Sequence, residues 1–226
     1  DRQWSRGLGD VYKRQDLAGF TADIEFNVLD NADAIAIEVA ASGTGAGSLD
    51  EANNVAVVSG DVTASEADAI QAISGYVGTA SDYDITDTAA ALISATDDVL
   101  NVSGVDTVTV SDGPVLADTG EKLAELSKDV EFNVLDNADN VAAEVTGSNG
   151  AGDLDEANAV VVSGGDVTAS EADAIQSISG YVGTASDYDI TDTAAALISA
   201  TDSVLNVDGV DTVTVSDGPV LADTGE

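Results

Sequence analysis

Cysteine, histidine and methionine are absent from this sequence, tryptophan occurs once, and lysine and arginine together number six in 226 residues. Each absence closes off a class of protein. Without cysteine there is no disulfide framework and no thiolate, and without histidine no imidazole metal site. No apolar run reaches the length of a membrane span. Forty-three acidic residues face the six basic ones, for a net charge of −37. Four of those six (Arg2, Arg6, Lys13, Arg14) lie in the first fifteen positions, so residues 16–226 carry only Lys122 and Lys128. So acidic a body repels nucleic acid and anionic lipid, which excludes both as partners.

High charge with few large apolar residues is also the signature of disorder. Here Leu, Ile, Val and Phe make up about a quarter of the chain, above the roughly one-fifth level at which order fails. They also recur in a regular pattern. The expectation is a folded chain with a lean core of alanine and valine.

That pattern is a tandem repeat. Residues 61–121 recur as 166–226 with three differences, Ala72 against Ser177, Asp98 against Ser203 and Ser103 against Asp208. DIEFNVLDNAD (23–33) returns as DVEFNVLDNAD (129–139). Such self-similarity decides the architecture before any short motif does. Residues 16–128 are read as one repeat and 129–226 as a second, truncated one. Residues 1–15 match nothing in either; DVYKRQ (10–15) resembles translated sequencing-adapter read-through, and that leader is set aside as non-native.

Within each repeat, strand-like and helix-like segments alternate. IEFNVLD (24–30) alternates apolar and polar positions, and Ala32, Ile35, Ala36 and Val39 then follow at helical spacing. NVAVVSG (54–60) precedes TASEADAIQAIS (63–74), DYDITD (82–87) precedes TAAALISATDDVL (88–100), and VDTVTVSD (105–112) precedes a helix from Pro114 to Ser127. Strand starts near 24, 54, 82, 105, 130, 159, 187 and 210 make eight strand–helix units. Such units imply parallel, right-handed crossovers. The expected fold is therefore α/β: an open right-handed βα solenoid, akin to a leucine-rich-repeat horseshoe. A TIM barrel is disfavoured, because its strands are buried on both faces, whereas Thr107, Thr109 and Ser111 alternate with Val108 and Val110. One face of the parallel sheet should be solvated.

An aspartate closes each strand, giving the series Asp30, Asp61, Asp87, Asp112, Asp136, Asp166, Asp192 and Asp217. Helix capping is the reading of Asp30, Asp87, Asp112, Asp136, Asp192 and Asp217, because a carboxylate accepts from the free amides of a first helical turn and suits the helix dipole. Thr63 with Glu66, and Thr168 with Glu171, have capping-box spacing. Pro114 and Pro219 suit a first turn. The functional alternative is calcium, a hard cation that carboxylates bind. Its best local candidates are Asp153, Asp155 and Glu156 in GDLDE, and Asp187 and Asp189 in SDYD, although the first copy reads GSLDE. No other cofactor is expected.

No His, Cys or Lys cluster supports nucleophilic or transfer catalysis, and near-identical repeats would duplicate any carboxylate pair. The chain is therefore read as non-enzymatic. ITDTAAAL (85–92, 190–197) and VTVSDGPV (108–115, 213–220) resemble units of the tandem repeats in very large, acidic, exported bacterial proteins of adhesin-like character. That resemblance implies a secreted or cell-surface spacer whose partners are neighbouring repeats. The alternative is a binding module that holds a glycan or protein on the polar sheet face around Thr107 and Thr109, with Tyr76, Tyr83, Tyr181 and Tyr188 as stacking candidates. A third reading is a cytoplasmic protein adapted to high salt.

Overall fold

In the computed structural model, the described residues are 4–5, 25–42, 47–147 and 154–219. The chain forms two compact units. The first comprises residues 1–111 with Leu126–Val130, and the second residues 112–125 with 131–226. The sequence places the division at 128/129. The structure puts it after Ser111 because the helix expected to end the first repeat packs on the strand that follows it.

The first unit runs β1 (Trp4–Ser5), β2 (Asn27–Asp30), α1 (Ala32–Ser42), β3 (Asn54–Val57), β4 (Asp61–Val62), α2 (Ala64–Gln71), β5 (Tyr83–Asp87), α3 (Ala89–Ser94), α4 (Asp97–Leu100) and β6 (Val105–Val110). The second runs α5 (Ala117–Ala124), β7 (Asn133–Asp136), α6 (Ala138–Gly147), β8 (Ala159–Val167), α7 (Ala169–Gln176), β9 (Asp187–Asp192), α8 (Ala194–Ser199), α9 (Asp202–Leu205) and β10 (Val210–Val215). Strand and helix alternate as expected, and every strand pair is parallel. A two-residue strand from the leader, β1, pairs with Asn27 and Val28 of β2.

The strands form three sheets, ordered β1-β2-β3, β4-β5-β6 and β7-β8-β9-β10. Within each, neighbours in space are neighbours in sequence, so every strand–helix unit is laid beside the one before it. Equivalent residues stack in register: Asn27 on Asn54, Ile85 on Val108, Asn133 on Ala159, Ile190 on Val213. In the second unit β8 is continuous and pairs with β7 through its first half and β9 through its second. The same run in the first unit is divided at Ser59–Gly60, leaving two sheets there.

The core is as lean as its composition implies. Val28, Ile35, Val55, Val57, Val62, Ala67, Ile70, Ile85, Leu92 and Val108 are buried in the first unit, and Val134, Val141, Val160, Val162, Ala172, Ile175 and Ile190 in the second. The exceptions are large aromatics, Tyr83 in the first unit and Phe132 and Tyr188 in the second, the two tyrosines each only 1% exposed. Gln71 Nε2 donates to Tyr83 Oη at 2.9 Å and to the Val99 carbonyl at 2.9 Å; Gln176 repeats this with Tyr188 at 2.8 Å and Val204 at 3.0 Å. A buried hydroxyl without a partner is costly, so these glutamines are what allow a tyrosine in the core. Burial pushes the Tyr83 phenol well above its ordinary range, so it stays protonated as pH rises.

Local details depart from expectation in two places. The helix expected over 88–100 is two short ones, because Ala95 turns extended (φ −69°, ψ 152°) and the chain restarts at Asp97 and Asp98, whose charges suit a helix N-terminus. Pro114 does not enter the first turn of α5. Val115 pairs instead with Val134, its amide donating to the Asn133 carbonyl at 2.8 Å, so the backbone stays extended through Leu116.

Two kinds of glycine are required. Gly60 and Gly165 have φ of 116° and 106°, open to glycine, and lie against the first residues of α1 and α6. Gly78 and Gly183 have no room: a Cβ would collide with the carbonyl oxygens of Ser103 and Asp208. Gly78→Ala should therefore lower stability by about 1–3 kcal/mol through backbone displacement. Gly147→Ala, at a position facing open space, should leave stability unchanged or slightly raised. Urea midpoints of the two variants check both expectations.

Candidate functional site

The recurring polar feature of the fold is a carboxylate that joins consecutive strand–helix units. Asp87 closes β5. One of its oxygens accepts from the next amide, Thr88 N, at 2.8 Å, and the other from Ala64 N, the first residue of α2, at 3.0 Å. Asp192 does the same with Thr193 N at 2.7 Å and Ala169 N at 3.1 Å. Asp136 takes Asn137 N at 2.8 Å, Ala117 N at 3.0 Å and Asn140 Nδ2 at 2.8 Å. Asp217 accepts from Ala194 N at 3.0 Å. Asp30 accepts from Asn31 N at 3.0 Å and is, like Asp136, almost fully buried. Asp112 follows β6 as Asp217 follows β10.

The expected capping chemistry is thus present but at a different address. Asp87, Asp136, Asp192 and Asp217 serve the first turn of the helix in the preceding unit. Elsewhere than at α5, which starts from Leu116 with no side-chain cap, the helix of each unit is capped by a Thr or Asn one or two residues after the aspartate. Thr63, Thr88, Thr168 and Thr193 accept from the amides of Glu66, Ala91, Glu171 and Ala196, and Asn31 and Asn137 from those of Ala34 and Asn140. Both capping boxes form: Glu66 accepts from Thr63 N at 2.9 Å and Glu171 from Thr168 N at 2.8 Å. Asp61 and Asp166 are exposed on strands rather than at caps.

Among the described residues, the calcium candidates are each engaged or exposed separately. Asp155 accepts from Ser179 N at 2.6 Å, as Asp50 does from Ser74 N at 3.1 Å, so both hold a turn 24 residues away. Asp189 accepts from the amide of Thr212 at 3.0 Å and also from its hydroxyl. Asp187 is exposed and in register with Ser163, and Glu156 is exposed. Asp153 lies outside the described residues. Among the described residues no three acidic side chains are grouped to hold a metal ion.

Other candidate groups are largely committed to the fold. Thr107 Oγ1 donates to Asp84 at 2.6 Å, so this hydroxyl of the polar sheet face is engaged by the neighbouring strand, while Thr109 is half-buried. Tyr83 and Tyr188 are enclosed, which removes them as stacking platforms. Tyr76 and Tyr181 are half-buried, their hydroxyls donating to the carbonyls of Ser103 and Asp208 at 3.1 Å. Lys122 pairs with Asp118 at 3.1 Å on the surface, holding that carboxyl below its usual range. No described helix is long and apolar enough to cross a membrane.

Matching open grooves complete the inventory, of about 300 Å³ beside Asp68, Asp87, Ser94 and Thr96 and about 370 Å³ beside Asp173, Asp192, Ser199 and Thr201. Alanines with Ser65 and Val99, or Ser170 and Val204, form the remaining wall, so each groove offers acceptors and hydroxyls beside small apolar side chains. Sequence reasoning missed the link from carboxylate to preceding helix. A constant separation of 23 residues between Asp87 and Ala64, Asp192 and Ala169, and Asp217 and Ala194 was its only trace. Comparison of the chain with protein-family models, curated proteins and solved structures finds no match in any of the three.

Two outcomes follow. Asp192→Ala removes acceptors from two amides at once and should cost about 2 kcal/mol, whereas Asp192→Asn keeps one oxygen and should cost less; urea unfolding ranks the pair. Glu144 is raised above the ordinary glutamate range, first by burial and then by its hydrogen bond to Glu121 and the charges of Glu121 and Asp118. A raised carboxyl penalises the folded state once ionised, a penalty that fades as pH falls through the folded value. Glu144→Gln should therefore melt higher than the parent at pH 7, and the gap should close below the ordinary glutamate pKa.

Proposed function

We propose that this chain is a non-catalytic structural repeat, a segment of an open right-handed βα solenoid that acts as an acidic spacer in a large secreted or cell-surface bacterial protein. The observation that carries the reading is the carboxylate link between successive units. It recurs at Asp87, Asp136, Asp192 and Asp217, in both repeats, and so can be continued by adding repeats. Sequential parallel strands in register support the same reading, because in a solenoid each unit contacts only its neighbours. A surface of net charge −37 keeps such a rod soluble and apart from its neighbours. The resemblance of ITDTAAAL and VTVSDGPV to exported bacterial repeats supports the location.

Two alternatives are weaker. A glycan- or protein-binding face would rely on Thr107, Thr109 and their copies, of which Thr107 and Thr212 already donate their hydroxyls to Asp84 and Asp189. Calcium would act as a stiffener at carboxylates that, in Asp155 and Asp189, already accept backbone amides.

The test is length. A variant with an additional copy of residues 61–165 inserted after Gly165 adds four strands, hence roughly 19 Å at about 4.8 Å per strand. Small-angle scattering should show the maximum dimension rising by about that amount while the cross-section stays constant. An increase in all dimensions, as in a globule, would refute the spacer reading. Repeating the measurement in calcium and in EDTA at matched ionic strength separates a calcium-stiffened rod from one indifferent to the ion.

A further inference from the structure

The sequence holds three Asp–Gly pairs: Asp112–Gly113, its copy Asp217–Gly218, and Asp208–Gly209, where the first repeat has Ser103–Gly104. Such a pair is chemically reactive within itself. The backbone nitrogen of the glycine can attack the aspartate Cγ, because no side chain on glycine hinders the approach. A Cγ–N bond forms and a molecule of water leaves, closing a succinimide ring. Water then reopens the ring at one of its two carbonyls. Opening at Cγ restores aspartate. Opening at the main-chain carbonyl leaves the chain running through Cγ, as isoaspartate. The water lost in the first step is regained in the second, so no other reactant is needed.

Ring closure requires the Asp–Gly peptide to rotate until the nitrogen meets Cγ, and the structure treats the pairs differently. Asp112 and Gly113 are both exposed and lie outside any helix or strand. Gly113 has φ of 89°, and among the described residues nothing lies within 4 Å of the point a Cβ would occupy. Gly209, with φ of 103°, is instead enclosed by the Tyr181 hydroxyl, the Gly183 carbonyl and Ser186 Cβ. Both carbonyls of that pair are also held. The Asp208 carbonyl accepts from Tyr181 Oη at 3.1 Å, and the Gly209 carbonyl from Tyr188 N at 2.9 Å. Rotation at Asp208 thus has to break bonds and displace a tyrosine, whereas rotation at Asp112 sweeps through open space.

We propose that Asp112–Gly113 is a site of spontaneous self-modification, at which the folded chain converts aspartate to isoaspartate through a succinimide, while the fold protects Asp208–Gly209. The consequence is local to the start of the second unit. Isoaspartate lengthens the backbone by one carbon three residues before Val115, whose amide donates to the Asn133 carbonyl at 2.8 Å. It also moves the carboxylate from the side chain to Cα, at the place where the copy, Asp217, accepts from Ala194 N at 3.0 Å. The inference goes beyond the spacer reading and stands without it.

The test ages the full chain at pH 7, folded in buffer and unfolded in concentrated urea. Cleavage after glutamate releases residues 67–121, which hold Asp112, and residues 172–226, which hold Asp208, as separate peptides. Electron-transfer fragmentation then locates isoaspartate in each. In the folded chain isoaspartate should accumulate roughly tenfold or more faster at 112 than at 208, because attack at 208 waits on local opening. In urea the two rates should be comparable, which shows that the difference comes from the fold and not from the flanking sequence. The isomerised fraction, separated by ion exchange, should melt below the fresh chain. Comparable rates at the two positions in the folded chain, a faster rate at 208, or no isoaspartate at 112 overturns the proposal.

Discussion

A carboxylate that accepts from two amides 24 residues apart, as Asp87 does from Thr88 N and Ala64 N, is the interaction on which the remaining order of this chain depends. It pins the end of one strand to the start of the preceding unit's helix. The negative charge also faces the positive end of that helix, where unsatisfied amides are concentrated. Charge-assisted bonds of this kind are stronger than neutral ones. In a richer core, large side chains would lock helix against sheet. Here alanine and valine do most of the filling, and each contributes modest burial, so polar fastening sets which helix lies on which strand.

The same chemistry explains how so acidic a chain folds. Stacking in register brings Asp61 opposite Asp84 and Asp166 opposite Asp189. At strand spacing, two such charges repel by roughly 0.9 kcal/mol in water. The fold offsets this by giving the carboxylates donors: Thr107 bonds Asp84, Thr212 bonds Asp189, and backbone amides bond Asp50, Asp87, Asp136, Asp155 and Asp192. Much of the negative charge is thereby structural rather than decorative. The repulsion left among exposed aspartates is of the kind that dissolved salt screens.

Near-identity of the repeats separates what a residue contributes from where it sits. Capping boxes, tyrosine–glutamine bonds and carboxylate links recur in both units with distances agreeing within about 0.2 Å, so they belong to the local sequence. Burial of Leu92 against Leu197, or of Val108 against Val213, does not recur. That property belongs to the position in the chain and not to the local sequence. A repeat protein is expected to behave in this way, with intrinsic and interfacial terms that can be told apart.

Alternation of strand and helix, parallel pairing, the capping boxes and the alanine–valine core could be read from the residues, because each depends on spacing within a dozen positions. Periodicity marks the strands, and Thr63 and Glu66 lie close enough in sequence to bond whatever the remaining chain does. Three matters could be decided only by tertiary structure. One is the partner of each strand-end aspartate, which lies a full unit away. Another is the enclosure of Tyr83 through Gln71, which sequence alone left open to surface roles. The last is the division of the chain after Ser111, because Val115 pairs with Val134 and carries α5 to the second unit. All three depend on which segments lie side by side, and the periodicity of a single segment carries no information about its neighbour.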